Sequence, residues 1–374
     1  MSRSSRDKYV PVELDEWMTS KIRGSVSGQG PERYGISLDG KQYALDKQER
    51  RRILKERLGS IIAHVRFPVR LAPDLGEHAI DLMSGKAPLV WIQGQNCTGC
   101  TCALMDSDYF NPVDLGYEKI SLMYQPDLMA ATGDMATDQL EQVEEASKGR
   151  YIIVVEGSIP VGEDSHFCTF GVGNGVKSLM GNQVPDEKPI QDWLKELVPD
   201  AAAVIAVGNC ASYGGISRTI ANITGATPVP DVIRELDPGK PVINIAGCPP
   251  HPDWIVGTIG RVLLWITGDR ERPELDELGR VKKYYASTIH ELCERLPSFK
   301  EKRFLEDWND IRVDDDRCLL KFGCRGPKTH GDCPKRAWNS RTKWCVGANS
   351  PCNGCTEPGF IDRLSHHMMN MSQD

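Results

Sequence analysis

Short apolar runs alternate with stretches of helical periodicity between residues 87 and 268. The runs are Leu89–Ile92, Ile120–Tyr124, Tyr151–Val155, Ala203–Val207 and Val242–Ala246. The helical stretches are Asp138–Lys148, Pro189–Leu197 and Trp254–Trp265. Continuous, β-branched apolar runs are typical of strands buried on both faces of a parallel sheet. The pattern therefore predicts an α/β fold, a flavodoxin-like doubly wound parallel sheet.

The chain on either side of this region has a different pattern, which predicts three parts. Residues 1–86 form a polar, glycine-broken extension in which Leu54, Leu58 and Val65 recur at the spacing of an amphipathic helix. Residues 87–269 form the flavodoxin-like domain. Residues 270–374 are rich in proline and cysteine and poor in apolar runs, so we expect a loop-rich second domain whose folding depends on bound metal.

Composition limits the choice of partners. The 374 residues are 40% hydrophobic and 26% charged, as in a soluble globular protein. A net charge of −7 argues against nucleic acid as a partner, because phosphate binding needs a basic surface. We expect no transmembrane segment, since no apolar stretch approaches the length of a membrane span.

The arginine run at residues 50–52 has two interpretations. It resembles a twin-arginine export signal, which would make the protein periplasmic. Charged residues interrupt the apolar segment that should follow such a signal, and the same residues fit the amphipathic helix. We therefore expect a cytoplasmic protein that associates with membranes only through partners, and we keep export as the alternative.

All thirteen cysteines lie after residue 96. An odd number in a chain of this length fits a disulfide framework poorly. Soft thiolates accompanied by a histidine are ligands for iron–sulfur clusters or for zinc. We favour iron–sulfur clusters and keep zinc and disulfides as alternatives.

A first group of cysteines follows the predicted strands. Cys97 and Cys100 come after the first strand, Cys210 after the fourth and Cys248 after the fifth. Because ligands of open α/β sheets bind at the carboxyl ends of the strands, these thiols should meet at one edge and could hold a [4Fe–4S] cluster. A lone Cys-x-x-Cys pair could instead be a thioredoxin-like redox motif.

Two further groups lie in the predicted second domain. One consists of His290, Cys293, Cys318 and Cys324, and its spacing suits zinc as well as a cluster. The other consists of Cys333, Cys345, Cys352 and Cys355. With four ligands the second group could hold a [4Fe–4S] cluster, and with three a [3Fe–4S] cluster.

Residues 88–362 resemble the small, electron-transferring subunit of [NiFe] hydrogenases. The motifs that carry the resemblance are Trp91–Cys100, Val155–Gly157, Gly208–Gly215, Gly247–Pro252, Cys318–Pro327 and Pro351–Pro358. They occur in the order found in the family and span nearly three quarters of the chain.

The resemblance implies an electron relay in a hydrogenase that oxidises or evolves H2. The proximal cluster would take Cys97, Cys100, Cys210 and Cys248, the medial cluster Cys333, Cys352 and Cys355, and the distal cluster His290, Cys293, Cys318 and Cys324. The nickel–iron site would belong to a large subunit, an obligate partner in a heterodimer. The distal cluster would pass electrons to a cytochrome, a quinone-linked protein or a ferredoxin-like protein.

The chain departs from the family pattern at two places. Cys345 stands where many members have proline, which implies a medial [4Fe–4S] cluster, unless Cys345 is a buried free thiol. Oxygen-tolerant members have extra cysteines at the positions of Gly99 and Gly215, so glycine there implies an ordinary, oxygen-sensitive proximal cluster. We expect Cys102 and Cys168 to be inert thiols.

Two further residues and two alternative functions follow from the sequence. Glu156 could contact the large subunit or cap a loop, and the role of His251 is open. The alternatives to a hydrogenase are an electron-transfer subunit of a quinone-linked complex and a zinc-binding interaction module. The second domain argues against the quinone-linked complex, whose subunits lack it.

Overall fold

The computed structural model describes residues 88–107, 122–129, 133–179, 182–219 and 221–361. The predicted N-terminal extension, its amphipathic helix and the arginine run at residues 50–52 lie outside the described residues. None of the helices in the described ranges combines the length and the apolar character that crossing a bilayer requires.

A five-stranded parallel sheet forms the centre of the fold. Its strands are β1 (Leu89–Gln93), β2 (Leu122–Tyr124), β3 (Ile152–Glu156), β7 (Ala203–Val207) and β9 (Val242–Ile245), in the order β2-β1-β3-β7-β9. Each of the five predicted runs supplies one strand. The predicted α/β fold with a parallel sheet is therefore confirmed.

Two small antiparallel pairs accompany the sheet. They join β4 (Ile159–Pro160) to β8 (Ala226–Thr227) and β5 (Thr169–Leu179) to β6 (Asn182–Pro189). The second pair is a long hairpin that the apolar pattern did not predict. Its strands contain several glycines and charged residues instead of an apolar run.

The helices in the sheet region are α1 (Gly99–Met105), α2 (Asp134–Ala146), α3 (Ile190–Asp200), α4 (Gly208–Tyr213), α5 (Val229–Leu236) and α6 (Pro252–Ile266). Those that follow are short: α7 (Lys282–Tyr285), α8 (Ile289–Leu292), α9 (Leu296–Lys300) and α10 (Cys333–Arg336). Short 3-10 helices lie at Gly162–Phe167, Gly215–Arg218, Trp308–Asp310, Leu320–Phe322, Gly326–Lys328 and Val346–Ala348.

The sheet is buried on both faces, which explains its continuous apolar runs. Along β1, Leu89 and Trp91 pack into one core, whereas Val90 and Ile92 pack into the core on the other face. This alternation follows from the twofold periodicity of a strand. Helix α6 belongs to the first core, and helices α3 and α5 belong to the second.

Residues 270–361 build on the first core. Ile289, Leu305 and Trp344 belong to the same buried cluster as Trp254 of α6. The hydroxyl of Tyr285 donates a hydrogen bond to the carbonyl of Ala246, at 2.8 Å, next to the end of β9. The division of the chain at residues 86/87 and 269/270 stays a prediction.

Candidate metal centres

Three loops meet where the central strands end. Strands β1, β3, β7 and β9 finish side by side, with Gln93 opposite Glu156, Glu156 opposite Val207, and Val207 opposite Ile245. The segments that follow β1, β7 and β9 carry Cys97, Cys100, Cys210 and Cys248, with Cys100 at the start of α1 and Cys210 in α4. The parallel register therefore brings chain segments that are far apart in sequence to one edge of the sheet.

The four thiols of this edge, the proximal group, lie close enough to interact electrostatically. Burial raises the pKa of Cys100 well above its usual value, and the charges of Glu156 and the other three cysteines act in the same direction. Burial also raises the pKa of Cys248 to about 11, again reinforced by Cys210 and Cys97. Such thiols are protonated at neutral pH, and a bound metal would displace their protons.

Glycines leave room for the proximal sulfurs. A Cβ atom on Gly208, whose φ is +87°, would lie 2.4 Å from Sγ of Cys100. A Cβ atom on Gly215, whose φ is +58°, would lie 2.4 Å from Sγ of Cys210. Both glycines combine a left-handed backbone with a close approach to sulfur, so neither position accepts a side chain without displacing a thiol.

The Cys210 and Cys248 loops are joined through Asn209. Its amide donates a hydrogen bond to the carbonyl of Gly247, at 2.8 Å. Its side-chain oxygen accepts one from the amide of the same glycine, at 3.1 Å. Sequence reasoning missed this role, because a single asparagine before a cysteine gives no periodic signal.

Glu156 caps the Cys97–Cys100 loop. Its side chain is 1% exposed and accepts hydrogen bonds from the amide of Cys100, at 2.9 Å, and from Nε1 of Trp91, at 3.2 Å. The hydroxyl of Thr101 donates a third. The loop-capping role is therefore the one that the structure shows, whereas contact with a large subunit stays a prediction.

The distal group lies around α8 and the loop that follows it. Burial raises the pKa of Cys293 to about 11, and the charges of Glu294, Cys324 and Cys318 raise it further. Burial also raises the pKa of Cys318, whereas the positive charge of Arg295 opposes that shift. The three thiols therefore face a common site.

His290 is held at the start of α8, but its ring has another neighbour. Thr288 and Glu291 form a capping box around this first turn. Gly326 lies beside both His290 and Cys324, because a Cβ atom placed on it would be 3.6 Å from the His290 amide nitrogen and 3.6 Å from Sγ of Cys324. The His290 ring itself packs edge-on against Phe299, with the ring centroids 4.4 Å apart. Burial lowers the pKa of His290 and so favours the neutral form that binds metals. Ligation by its ring stays a prediction.

The medial group consists of the other four predicted thiols. Cys333 and Cys352 are each 7% exposed. Burial raises the pKa of Cys352 to about 11 and that of Cys355 to about 12. The charge of Cys345 contributes to the raised pKa of all three, although Cys345 itself is the exposed member. Cys345 therefore faces the medial group, and its service as a fourth ligand stays a prediction.

Backbone hydrogen bonds connect the three groups in series. The Cys355 thiol accepts one from the backbone of Cys248, which lowers its pKa against the larger effect of burial. The amide of Cys352 donates to Sγ of Cys324, at 3.4 Å. The groups thus follow one another in the order proximal, medial, distal.

Within the ranges that the structure describes, no three His, Cys, Asp or Glu side chains are arranged to hold a single metal ion. The case for clusters rests instead on the donor chemistry. The sequence predicted twelve soft or borderline donors, of which eleven are thiols. These thiols lie in three groups, and sulfurs of the proximal group lie against the backbone of glycines. Such a donor set fits iron–sulfur clusters.

The structure also describes the surroundings of His251, Cys102 and Cys168. His251 is 6% exposed, accepts a hydrogen bond from the amide of Asp253 at 3.1 Å, and contacts the carbonyl of Ala337 through its other ring nitrogen. Burial lowers its pKa, so the neutral ring joins the start of α6 to the segment after α10. Cys102 is exposed, and the Cys168 sulfur lies 3.9 Å from the carbonyl of Gln93.

Comparison with known proteins decides the family. The family model for the C-terminal part of NiFe/NiFeSe hydrogenase small subunits matches residues 285–368. The small subunit of the periplasmic [NiFeSe] hydrogenase of Desulfomicrobium baculatum is 35% identical over 290 residues, which cover 77% of this chain and 89% of the relative. The chain belongs to the hydrogenase small-subunit family. The recognition made from the motifs is therefore confirmed.

Other similarities agree with this assignment. The quinone-reactive Ni/Fe-hydrogenase small chain of Wolinella succinogenes is 34% identical, and the match covers 84% of this chain and 82% of the relative. The solved structure of the reduced, active Ni-Fe-Se hydrogenase from D. baculatum has a TM-score of 0.68 and 34% identity, covering 75% of this hydrogenase subunit and 98% of the solved chain.

A second family model describes the sheet region. The model of the NADH ubiquinone oxidoreductase 20 Kd subunit matches residues 97–262. This match includes the proximal group but ends before the medial and distal groups. The two family models therefore match successive parts of the chain, residues 97–262 and residues 285–368.

Proposed function

We propose that this small subunit transfers electrons through three [4Fe–4S] clusters between the hydrogen-converting site of a large subunit and an external acceptor. The proposed ligands are Cys97, Cys100, Cys210 and Cys248 for the proximal cluster, Cys333, Cys345, Cys352 and Cys355 for the medial cluster, and His290, Cys293, Cys318 and Cys324 for the distal cluster. Without Cys345 as a ligand the medial cluster would be [3Fe–4S].

The observation that carries the proposal is the proximal group. Four thiols from three separate chain segments interact with one another at the carboxyl edge of the sheet. Burial raises the pKa of Cys100, so a free thiolate there would be unstable, whereas a bound metal stabilises it. Bound clusters would supply one-electron redox chemistry, and the residues described above hold, space and insulate them.

The serial connections between the groups support a relay. Cys248 of the proximal group contacts Cys355 of the medial group, and Cys352 contacts Cys324 of the distal group. The buried Cys333 and Cys352 lie within the first core, away from water. A low-dielectric interior with fixed spacing is what electron transfer between clusters needs.

An exposed apolar surface beside the proximal group supports a large-subunit partner. Cys97 is exposed, and Ile216 and Ile223 are 66% and 77% exposed. Ile223 and Asn96 line the same cavity, and the backbone of Ile216 contacts the Cys210 thiol. Exposed apolar side chains grouped in this way mark protein interfaces, so we propose that the large subunit packs on this surface in an obligate heterodimer.

The compartment and the acceptor are part of the proposal. We place the heterodimer in the cytoplasm, with membrane contact only through partners, and we propose a cytochrome, a quinone-linked protein or a ferredoxin-like protein as acceptor. The periplasmic relative from D. baculatum favours the export alternative. Fractionation of cells that express the full chain distinguishes the two.

The test is purification of the chain together with its large subunit. We expect a brown heterodimer that contains nickel, iron and acid-labile sulfide and reduces a viologen dye with H2. Cys100→Ser should abolish H2-dependent dye reduction, whereas Cys168→Ser, in a thiol outside the three groups, should preserve it. A colourless chain loaded with zinc would overturn the proposal and favour the zinc-binding module.

A further inference from the structure

A buried arginine lies between the medial and distal groups. Arg295 is 4% exposed and follows the distal Cys293 by two positions. Its own amide donates a hydrogen bond to Sγ of Cys293, at 3.4 Å. The backbone of Arg295 is therefore part of the distal group, whereas its side chain extends beyond that group.

The guanidinium reaches the chain beside a cysteine of each group. It donates to the carbonyl of Arg317, the residue before Cys318, and to the carbonyl of Val346, the residue after Cys345, at 2.9 Å each. Because these carbonyls belong to the distal and medial segments, one side chain fixes both.

Asn349 adds a third anchor. It has a left-handed backbone, with φ of +62°, and its side-chain oxygen accepts a further hydrogen bond from the guanidinium. The amide group of Asn349 donates in turn to the carbonyl of Arg312, at 2.7 Å. The fork of Arg295 thus holds the turn after Cys345 and the loop before Cys318 in one arrangement.

The partners of this guanidinium are all neutral. In the described part of the chain, its hydrogen bonds go to two carbonyls and one side-chain amide. Arginine keeps its proton in proteins, so a full positive charge is buried here, and no carboxylate of the residues that the structure describes forms an ion pair with it. For stability alone, an ion pair or an apolar side chain at this position would serve as well as the unpaired charge or better.

We propose that Arg295 is a positioning residue shared by the medial and distal sites, which fixes their ligand segments and raises the reduction potentials of both. The inference rests on the proposed function, because it needs clusters at these two sites. Adding an electron makes a cluster more negative, and a fixed positive charge in a low-dielectric interior favours that state. The proximal site, held by the sheet edge, should be affected much less.

The test compares three variants of the purified heterodimer by redox titration followed with electron paramagnetic resonance. Arg295→Gln removes the charge, and Arg295→Lys keeps a charge but loses the planar fork. Arg303→Gln is the control, because Arg303 is 45% exposed and pairs with Glu301 and Asp316. The proximal cluster is an internal reference in every sample.

We expect Arg295→Gln to lower the medial and distal potentials and to leave the proximal one unchanged. Arg295→Lys should shift them less, and Arg303→Gln should leave all three at the wild-type values. Loss of only the medial and distal clusters from Arg295→Gln, with recovery in Arg295→Lys, would also support the proposal.

The proposal would be overturned if all three clusters of Arg295→Gln kept their wild-type reduction potentials. It would also be overturned if the potentials of all three clusters changed equally in Arg295→Gln and did not recover in Arg295→Lys. These outcomes leave the proposed function intact. A wild-type heterodimer without iron–sulfur signals would instead remove the proposed function itself.

Discussion

Replacing Gly208 by alanine places a methyl group against the sulfur of a proximal cysteine. The new Cβ atom would lie 2.4 Å from Sγ of Cys100, whereas ordinary contacts between non-bonded heavy atoms are about 3.5–4.0 Å. The sulfur must therefore move by about 1 Å, and ligand distances in metal sites vary by only about 0.2 Å. The left-handed backbone adds about 1–2 kcal/mol of strain for any residue with a Cβ atom.

Gly149→Ala is the matched control. Gly149 has φ of +72°, and no heavy atom lies within 4 Å of the place that a Cβ atom would take there, so the change carries the backbone strain without the clash. Both variants should melt at lower temperature than the wild type. Only Gly208→Ala should lose proximal iron, measured as iron per heterodimer and as the proximal signal in electron paramagnetic resonance. Equal iron content and equal proximal signals in the two variants would refute the reasoning.

Four further predictions concern single groups and the bound metal. Cys345→Ser should give the oxidised heterodimer a new [3Fe–4S] signal, and an unchanged spectrum would contradict ligation by Cys345. Glu156→Ala leaves three buried donors unpaired, at about 1–3 kcal/mol each, so its unfolding midpoint should fall further than that of Glu156→Gln; equal midpoints would argue against the loop cap. Burial raises the pKa of Cys168 to about 11, so the folded thiol keeps a proton that the unfolded one releases above about 8.5. The contribution of the protonated Cys168 thiol to stability is therefore complete below that pH and disappears as the pH rises towards 11. Cys168→Ala should flatten the decline in unfolding free energy over this range. If the unfolding free energies of the variant and the wild type fell in parallel with pH, the prediction would be wrong. Removal of iron should increase amide hydrogen exchange in residues 285–361 more than in the central sheet, whereas uniform exchange would show that the metal does not support this part of the fold.

The sequence predicted the sheet well because burial on both faces leaves an unambiguous pattern. Ala203–Val207 is apolar at every position, and all five residues are buried in β7. The position of the cysteines directly after such strands was enough to predict that their loops share an edge, since parallel strands all end on the same side. The thiols of Cys100 and Cys248 interact accordingly.

The contacts that fix the cysteines could not be predicted in the same way. Glu156 looked like one carboxylate at the end of a strand, and its partners Trp91 and Thr101 are more than 50 positions away in sequence. The sequence contains no signal for Arg295, because burial by distant loops leaves no periodic pattern. Hydrogen-bond partners of this kind depend on tertiary packing, which a single sequence does not encode in its local pattern.

A rigid connection between the sheet and the medial group follows from α6. This helix starts after the Cys248 loop, and Asp253 in its first turn pairs with Arg336 of α10, at 2.8 Å, where they are 2% and 9% exposed. The next residue, Trp254, donates a hydrogen bond to Asp332, at 2.7 Å, directly before Cys333. Buried ion pairs add little net stability, but removing one partner is strongly destabilising, because it leaves an uncompensated buried charge. Electron transfer between a proximal and a medial cluster depends on their separation, so we infer that these polar contacts are kept for the geometry they impose.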